Sequence, residues 1–553
     1  MKIALAQVNQ IVGKIGENRD KILNLVHKAK DKDVELIIFP EFSIVGGYGY
    51  DLFNNKDFIL ESYKAMEVIT SQTQIHTLCG VITNDKFNQN LINAVALFYN
   101  GNMTTVAAKY ILDDAEFNDR KYFKSSGFSN VFKINDKNIA CVIADSIDSM
   151  KKNIEKASWL GVDIVVLLSC STYYKGKPSE IKNILKQSAK DNAVDIAYVN
   201  MVGAQDGYVF DGGSLYVCKD GNFKAVASNF KEDLLIFDTE SDNVLENAIS
   251  QEKEMYDALV LGLKDYCNKN GFKKCALGIS GGIDSALTLA IAVDALGKDN
   301  ILGVLMPSQH TSKESNLYAE EICQRLQVEN KTLALAEIYD AYMKTLSFHF
   351  EGQEKDLTEE NLQARIRCNF LMSLSNKFGY LILCTCNKSE DAVGYSTLYG
   401  DAIGGYSVIG DLFKKEVYQL SKYRNTISDI IPRSIIDRVP TAELRENQKD
   451  SDFLPEYDVL DDVLEKILDK RMAYQDVVDS GISKNVVDKV LKLLFSSEYK
   501  RRQSPIGTRV SQTAFSRDVL LPICNGYIWE PISNGYIWKP MIEKNIISDI
   551  EKD

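Results

Sequence analysis

The sequence predicts an α/β protein with at least two large domains. A chain of 553 residues exceeds what one hydrophobic core usually holds. In both halves, short apolar runs typical of buried strands alternate with longer helical stretches, which is the pattern of layered α/β folds. The second half also contains the turn GISGGIDS at residues 278–285, placed between a predicted strand and a predicted helix.

Composition and charge narrow the class of protein. Apolar residues make up 45% and charged residues 25% of the chain, as in ordinary globular proteins. A net charge of −13 argues against a general nucleic-acid or membrane surface. We find no apolar run of about 18 residues and no signal peptide. The 11 cysteines form neither a disulfide framework nor a CxxC metal pair, so we expect a cytoplasmic protein.

The first half begins with a predicted strand at residues 2–8 and a predicted helix at residues 18–30. Further apolar runs predict strands at residues 34–40, 77–82, 93–99 and 139–144. Several strings in this half resemble the nitrilase superfamily, and most closely the glutaminase domain of glutamine-dependent NAD synthetases. They are FPEFS at 39–43, GGYGYDL at 46–52, Lys109 with Phe117 and RKYF at 120–123, SCSTYYKGK at 169–177, and YVNMVGAQDGYVFDGG at 198–213. The resemblance implies a nitrilase-like α/β/β/α sandwich over residues 1–242.

Glutaminases of this superfamily use a cysteine nucleophile, a glutamate that moves the proton and a lysine that stabilises the tetrahedral intermediate. By resemblance, Glu41 and Lys109 stand at the glutamate and lysine positions. Family members carry ICEDIW or a close variant around the nucleophile, which aligns with IADSID at residues 143–148. The nucleophile position is then Ala144, or Ile143 if the alignment slips by one residue. Neither side chain can attack an amide.

Some other positions of the predicted glutaminase site depart from the family pattern, and others match it. Cys141 is the alternative nucleophile, but on a strand it faces the opposite side from Ala144, about 10 Å away. Ala115 replaces a glutamine-contacting tyrosine, and Asp119 matches a supporting glutamate. Ser171 and Lys177 match glutamine-binding positions that are retained. We therefore expect a degenerate glutaminase domain.

Residues 243–268 predict a connecting helix with an apolar face. Beyond it, strands are predicted at 274–277, 301–307, 332–335 and 381–385, and helices at 286–296, 313–326 and 359–377. This alternation predicts parallel strands with crossover helices, and ligands bind beyond the carboxyl ends of such strands.

The turn at residues 278–285 has the chemistry of a phosphate site. A Ser/Gly loop before a helix presents free N–H groups at the positive end of the helix dipole, and glycine allows close approach of phosphate. No lysine follows the glycines, so this is not the phosphate loop of kinases and GTPases. Asp284 lies inside the loop and would repel phosphate unless a divalent cation lay between them.

The SGGIDS string resembles the N-type ATP pyrophosphatases, and later strings narrow the resemblance to NAD synthetase. These strings are MPS at 306–308, ENLQARIR at 360–367, TCNKSE at 385–390, YSTLYGDAIGG at 395–405, PTAELR at 440–445, LPEYD at 454–458 and YKRRQ at 499–503. The resemblance implies a Rossmann-like, parallel-sheet ATP pyrophosphatase domain over residues 269–545, followed by a tail at 546–553.

The resemblance also assigns roles to residues. Asp284 and Glu390 would hold Mg²⁺, because both offer hard oxygen ligands. Deamido-NAD would contact Asn361, Glu390, Asp401 and Lys500. ATP would contact Gly278, Ile279, Ser280, Gly281, Gly282, Ile283, Asp284, Ser285, Met306, Arg365, Thr385 and Lys414.

The second half also departs from the family pattern at several positions. Cys386 replaces a glycine beside the nucleotide, and we expect its small side chain to be tolerated. The other departures are Lys415, His310 and Tyr318. The string NGYIW occurs at residues 525–529 and again at 534–538, and we assign it no function.

These observations predict a ligase that adenylates deamido-NAD with ATP and then amidates it to NAD, releasing AMP and pyrophosphate. Because Ala144 cannot act as a nucleophile, we expect free ammonia to be the nitrogen source. The alternatives are a glutamine-hydrolysing enzyme that uses Cys141, a different ATP pyrophosphatase such as a GMP or asparagine synthetase, or a scaffold without activity. Family members of this length are oligomeric, so we expect a homo-oligomer.

Overall fold

The computed structural model describes residues 1–85, 90–112, 117–127, 129–240, 242, 244, 249–446, 448–515, 517–524, 530–532 and 535–537. The chain forms two compact units. The first comprises Met1–Gly271 together with Thr508–Val510, and the second comprises Phe272–Gly507 and the described residues from Ser511 onward. Three residues late in the chain, Thr508–Val510, therefore belong to the unit that is otherwise formed by Met1–Gly271.

Two six-stranded sheets dominate the described part of the first unit. Their strand orders are β14-β1-β2-β3-β4-β5 and β13-β12-β9-β8-β7-β6, and β10 and β11 form a separate hairpin. The strands are β1 (Lys2–Gln7), β2 (Leu36–Ile38), β3 (His76–Asn84), β4 (Leu91–Tyr99), β5 (Asn102–Ala108), β6 (Phe132–Ile134), β7 (Lys137–Ile143), β8 (Ile164–Ser169), β9 (Asp195–Asn200), β10 (Val202–Gln205), β11 (Tyr208–Asp211), β12 (Leu215–Val217), β13 (Phe223–Val226) and β14 (Asp233–Asp238).

Helices cover the outer face of each sheet. On the first sheet they are α1 (Ile15–Lys30) and α2 (Lys56–Gln72), and on the second α4 (Ile147–Ser158) and α5 (Lys177–Asn192). The remaining helices are α3 (Asp119–Tyr122) and α6 (Gln251–Asn270), with a 3₁₀ helix at Tyr50–Asn54. Along β1, Ile3 and Leu5 pack between the sheets, whereas Ala4 and Ala6 pack toward α1 and α2. On β7, Cys141 lies between the sheets and Ala140 faces α4 and α5. These layers confirm the predicted α/β/β/α sandwich.

Helix α6 packs against β10 and β11 of the first unit. Its described part begins after Ser250, whose hydroxyl accepts a hydrogen bond from the N–H of Lys253. The predicted apolar face is present, because Met255, Leu259 and Leu263 are all buried. The predicted helix start at Asn243 lies outside the described residues.

The second unit is built on a parallel sheet, as predicted. The strand order of this sheet is β17-β16-β15-β18-β19. Its strands are β15 (Cys275–Gly278), β16 (Ile301–Leu305), β17 (Glu329–Thr332), β18 (Leu381–Cys384) and β19 (Tyr406–Ser407), with a hairpin of β20 (Glu530–Ile532) and β21 (Gly535–Ile537). Its helices are α7 (Ile283–Leu296), α8 (Lys313–Leu326), α9 (Ala336–Leu346), α10 (Leu357–Phe378), α11 (Lys388–Val393), α12 (Lys414–Ile427), α13 (Arg433–Ile436), α14 (Tyr457–Leu468), α15 (Tyr474–Asp479), α16 (Lys484–Ser496) and α17 (Glu498–Arg501), with 3₁₀ helices at Lys298–Asn300 and Asp450–Asp452.

The predicted strand at residues 332–335 is wrong in position. On the side away from β15, β16 pairs with β17, and the four residues of β17 are all exposed. The apolar residues after Thr332 follow the strand, and Leu335 is buried at the start of α9. The hydrophobic run thus belongs to the connection between β17 and α9 and does not form a strand. In the described chain, no helix is both long and apolar enough to span a bilayer.

Candidate active site

The loop after β15 has the backbone of an anion site. The hydroxyls of Ser280 and Ser285 lie 3.1 Å apart, and the N–H of Gly282 donates to Ser280 Oγ at 3.2 Å. Helix α7 then begins at Ile283, so its free N–H groups point into the loop. Gly281 has a φ of +78°, and a Cβ there would lie 2.4 Å from the carbonyl oxygen of Ser315. Glycine is therefore required at this position.

A cavity of about 290 Å³ opens at the carboxyl ends of β15, β16 and β18. Most of the residues predicted to bind nucleotide, metal or dinucleotide line it. These lining residues are Gly278, Ile279, Ser280, Gly282, Ile283, Asp284, Ser285, Met306, Thr385, Glu390, Asp401 and Lys414. Gly281, Asn361, Arg365 and Lys500 lie outside the lining.

Two carboxylates converge on one ammonium group in this cavity. Lys414 Nζ lies 2.5 Å from Asp284 Oδ2 and 3.3 Å from Glu390 Oε1. Asn387 Nδ2 donates to the other oxygen of Asp284 at 2.9 Å. Burial lowers the pKa of Lys414, but Asp284 and Glu390 outweigh it and hold that pKa above its usual range. Burial raises the pKa of Glu390 to about 8 despite Lys414.

The Asp284–Glu390 pair fits Mg²⁺ as a partial ligand set. Both side chains offer hard carboxylate oxygens and already share one cation, the ammonium of Lys414. No group of three acidic, histidine or cysteine side chains able to hold a metal occurs in the described chain. Phosphate oxygens of a substrate would therefore have to complete the coordination.

Three residues predicted to contact deamido-NAD hold a single loop, residues 394–401. Asn361 Oδ1 accepts a hydrogen bond from Thr397 Oγ1 at 2.7 Å, and Asp401 Oδ1 accepts one from the N–H of Thr397 at 2.7 Å. Lys500 Nζ donates to the carbonyl oxygens of Gly394 and Ser396, each at 2.7 Å. The residues are thus brought together on this loop, although only Asp401 reaches the cavity.

The two arginines of α10 have different surroundings. Arg365 is exposed, and its Nε donates to the carbonyl oxygen of Leu398 at 3.3 Å. Arg367 lines the cavity, and its Nε donates to the carbonyl oxygen of Met306 at 3.1 Å. Residues two positions apart on a helix point to different sides. Sequence reasoning selected Arg365 and did not consider the orientation of Arg367.

Sequence reasoning also missed a segment of the cavity wall. Arg438, Glu443 and Asp450 line the cavity, and Arg438 pairs with Glu443 at 2.6 Å. Glu443 Oε2 accepts a hydrogen bond from Ser315 Oγ at 2.7 Å. The string PTAELR at 440–445 was the available signal, because it already belonged to the resemblance.

Cys386 occupies the position beside the nucleotide where the resemblance leads us to expect glycine. It lines the cavity but is 4% exposed, and its Sγ lies 3.6 Å from the carbonyl oxygen of Asp401. Cys384 Sγ lies 3.8 Å from the same oxygen. The added side chain therefore packs against the 394–401 loop.

The first unit contains a buried ionic cluster at the predicted glutaminase site. Lys109 Nζ lies 3.1 Å from Glu41 Oε1 and 3.0 Å from Asp119 Oδ2, and it also binds Asp145 Oδ2. Burial raises the pKa of Glu41 well above its usual range. Burial opposes ionisation of Asp145, but Lys109 and a hydrogen bond from Glu41 lower its pKa to about 2.

Cysteines occur near this cluster, but not at the predicted nucleophile position. Ala144 follows β7, and its carbonyl oxygen accepts a hydrogen bond from Ser169 Oγ at 2.8 Å. Cys141 is fully buried between the two sheets, on the face opposite Ala144, and burial raises the pKa of its thiol. Cys170, which sequence reasoning did not weigh, donates its backbone N–H to Asp145 Oδ1 at 3.0 Å.

The two positions predicted to contact glutamine, Ser171 and Lys177, donate hydrogen bonds to backbone carbonyls. Ser171 Oγ donates to the carbonyl oxygen of Asp145 at 2.9 Å, and Lys177 Nζ donates to the carbonyl oxygen of Thr172 at 2.8 Å. Both side chains are buried. Ala115 and the duplicated NGYIW strings lie outside the described residues, except for Gly535–Ile537.

Comparison with known proteins decides the family. The carbon-nitrogen hydrolase family model matches residues 2–246, and the NAD synthase family model matches residues 255–504. The glutamine-dependent NAD(+) synthetase of Acinetobacter baylyi is 39% identical over 538 residues, covering 95% of this chain and 98% of that protein. The chain belongs to the two-domain NAD synthetase family. The enzyme of the same name from Thermotoga maritima is 36% identical, with 95% and 99% covered.

Solved structures agree with this NAD synthetase assignment. The glutamine-dependent NAD+ synthetase of Acinetobacter baumannii, solved with ADP, superposes with a TM-score of 0.76 at 38% identity, covering 95% of this chain and 98% of that one. The enzyme of Cytophaga hutchinsonii superposes with a TM-score of 0.82 at 19% identity and the same coverage, and supports the fold alone. The protein is therefore an ATP-using ligase.

Proposed function

We propose that this NAD synthetase adenylates deamido-NAD in the cavity of its second unit and amidates the adenylate with free ammonia. The cavity supports the first step, because the phosphate-type loop, Asp284, Glu390 and Lys414 all line it. The observation that carries the choice of ammonia is Ala144, the residue at the nucleophile position of the first unit.

In the first step, a carboxylate oxygen of the nicotinate ring attacks the α-phosphorus of ATP, and the bond to pyrophosphate breaks. The N–H groups of residues 280–285 would bind the polyphosphate. Lys414 would neutralise charge that develops on it. Asp284 and Glu390 would hold Mg²⁺, which supplies charge neutralisation for the leaving pyrophosphate when bound.

In the second step, ammonia attacks the activated carbonyl carbon, AMP leaves with the electron pair of the broken C–O bond, and the nitrogen loses a proton. No protein nucleophile is needed, because adenylation has already created the leaving group. This step can run on ammonia from solution.

The names of the relatives favour the alternative, a glutamine-hydrolysing enzyme. Such an enzyme forms a thioester between a cysteine and the glutamine amide carbon. The methyl group of Ala144 cannot form it. Cys141 is enclosed between the two sheets, where burial raises the pKa of its thiol. Loss of a nucleophile can reduce turnover by about 10⁶.

The test supplies full-length protein with ATP, Mg²⁺ and deamido-NAD, and with either ammonium or glutamine labelled at the amide nitrogen. We expect NAD to form with ammonium, and we expect neither labelled NAD nor glutamate from glutamine. Glutamine-driven synthesis at a comparable rate would contradict the ammonia proposal. In that event Cys141→Ala and Cys170→Ala, measured side by side, would identify which thiol replaces the expected nucleophile.

We further propose a homo-oligomer, on the family resemblance of the first domain. Light scattering of the purified protein at several concentrations would give the mass directly. A monomer at micromolar concentration would contradict this proposal without affecting the ligase assignment.

A further inference from the structure

Arg367 of α10 is a partly buried cation in the cavity wall. Its one hydrogen bond within the described chain joins Nε to the carbonyl oxygen of Met306, at 3.1 Å. Burial lowers its pKa to about 10, while Asp401 and Glu443 act in the opposite direction. Neither carboxylate forms an ion pair with it, and no other described residue does.

This arrangement leaves the two terminal nitrogens of the guanidinium without a hydrogen bond in the described chain. Arginine carries five N–H donors, of which Nε supplies one and the two terminal nitrogens supply four. A buried charge without an opposite charge is unfavourable, so its persistence in a cavity wall points to an anion that arrives with the ligand. The planar fork of arginine matches the oxygens of a phosphate group.

The position of Arg367 selects which phosphate it would meet. Met306 follows β16, and its methyl group lies 3.0 Å from the point where a Cβ on Gly278 would stand, so it borders the phosphate-type loop. Asp401, predicted to contact deamido-NAD, is one of the two carboxylates whose charge acts on Arg367. The group that must sit between the nucleotide and the dinucleotide is the α-phosphate, where the new bond forms.

We propose that Arg367, and not the exposed Arg365, binds the α-phosphate of ATP and stabilises the charge on its oxygens as the nicotinate carboxylate attacks. The bond that forms joins a carboxylate oxygen to phosphorus, and the bond that breaks releases pyrophosphate. This inference rests on the proposed function for its substrate, but the assignment to a nucleotide α-phosphate can be tested without the reaction.

The first experiment compares the binding of AMP and of adenosine to full-length wild-type, Arg367→Gln and Arg367→Lys proteins by calorimetry. We expect Arg367→Gln to weaken AMP binding by about 10-fold or more and to leave adenosine binding unchanged, because a charge-assisted contact to phosphate is lost. Equal losses for AMP and adenosine would mean that Arg367 only positions Met306, and would overturn the proposal. Unchanged AMP binding would overturn it as well. Arg433→Gln is the matched control, because that side chain is 92% exposed.

The second experiment measures pyrophosphate release with deamido-NAD. We expect Arg367→Gln to lower kcat by about 10²- to 10³-fold with a smaller change in the KM for ATP. A raised KM for deamido-NAD at unchanged kcat would move the guanidinium to the dinucleotide and overturn the α-phosphate assignment. If the wild-type protein released no pyrophosphate, the proposed function would fail, while the AMP and adenosine comparison would still decide the role of Arg367.

Thermal melting checks that the variants are folded. If Arg367→Gln melts below the assay temperature, Arg367→Lys carries the test. Lysine keeps the charge but loses the planar fork, so we expect about a 10-fold loss of AMP affinity and unchanged adenosine affinity. A Lys variant that lost affinity for both equally would overturn the proposal.

Discussion

At the scale of single residues, the meeting of Asp284, Glu390 and Lys414 is the main feature of the cavity. All three were selected from the sequence by resemblance, but their contact depends on the fold. Asp284 lies in the first turn of α7 after β15, Glu390 lies in the first turn of α11 after β18, and Lys414 begins α12. Because β15 and β18 are adjacent parallel strands, their carboxyl ends bring the two acidic residues together.

We expect Asp284→Asn and Glu390→Gln each to lower the rate of pyrophosphate release by at least about 100-fold. Each change removes one negative ligand from a cation that must bridge polyphosphate, with little change in side-chain volume. The measurement is a coupled pyrophosphate assay across a Mg²⁺ titration. Asp299→Asn, at an exposed position, is the control. Near-normal turnover of either site variant at low Mg²⁺ would contradict the metal assignment.

The ionic cluster of the first unit shows what residue types alone cannot reveal. Glu41, Lys109 and Asp119 were predicted to belong to one site, and the structure brings them into contact. Asp145 was not predicted to pair with Lys109, because its role depends on its side chain entering the same buried space as Lys109. The raised pKa of Glu41 likewise follows from burial and from the charge of Asp145, which sequence spacing cannot show.

At the scale of elements, sequence patterns predicted five of the helices, α1, α6, α7, α8 and α10, and the buried strands β15, β16 and β18 of the second sheet. Helix α8 spans Lys313–Leu326, the range predicted for it. The exposed edge strand β17 has the sequence ENKT, and a strand without buried residues carries no apolar signal. The sequence therefore located the buried strands of the second sheet well and this edge strand poorly.

Helix α6 carries a buried acid that makes the stability of the first unit depend on pH. Burial raises the pKa of Glu254 to about 7, with a further increase from Asp211 and an opposing effect from Lys182. The unfolded chain ionises this group near its ordinary pKa of about 4.5. Above that pH the folded state holds the extra proton, so its stability falls as the pH rises toward 7 and then levels off.

We therefore expect Glu254→Gln to raise the melting temperature of the protein at pH 8. The gain should shrink as the pH falls and vanish near pH 4.5, where the wild-type carboxyl is neutral in both states. Thermal melts of the two proteins across this pH range make the comparison. Glu252→Gln, at a less buried position of the same helix, is the control. A gain that is independent of pH would contradict the assignment.

At the scale of the whole molecule, the order of strands in the second sheet explains where the cavity lies. The chain enters at β15, proceeds outward through β16 and β17, and returns to the other side of β15 with β18. Ligand sites form where such a sheet reverses direction. This location was predictable from the alternation of strands and helices. By contrast, nothing in the sequence indicated that Thr508–Val510 belong to the first unit.

Gly262 of α6 lies against this returning segment. A Cβ at Gly262 would stand 2.4 Å from Thr508 Oγ1 and 2.8 Å from its Cγ2. In an exposed helix Gly→Ala stabilises by about 1 kcal/mol, but here we expect Gly262→Ala to lower the melting temperature because of overlap with a β-branched side chain. Thr508→Ala should restore part of the loss in the double variant. A Gly262→Ala protein that melts at or above the wild-type temperature would contradict this close contact.

The segment Thr508–Val510 also limits how the gene can be divided. Arg509 donates from its backbone N–H to the carbonyl oxygen of Gly207 at 2.8 Å, and from Nη1 to Thr172 Oγ1 at 3.0 Å. An expressed fragment that stops at Gly271 would lack the hydrogen bonds from Arg509. The surface of α6 at Gly262 would then be exposed to water. No single cut of the chain therefore yields two fragments that each contain one complete unit.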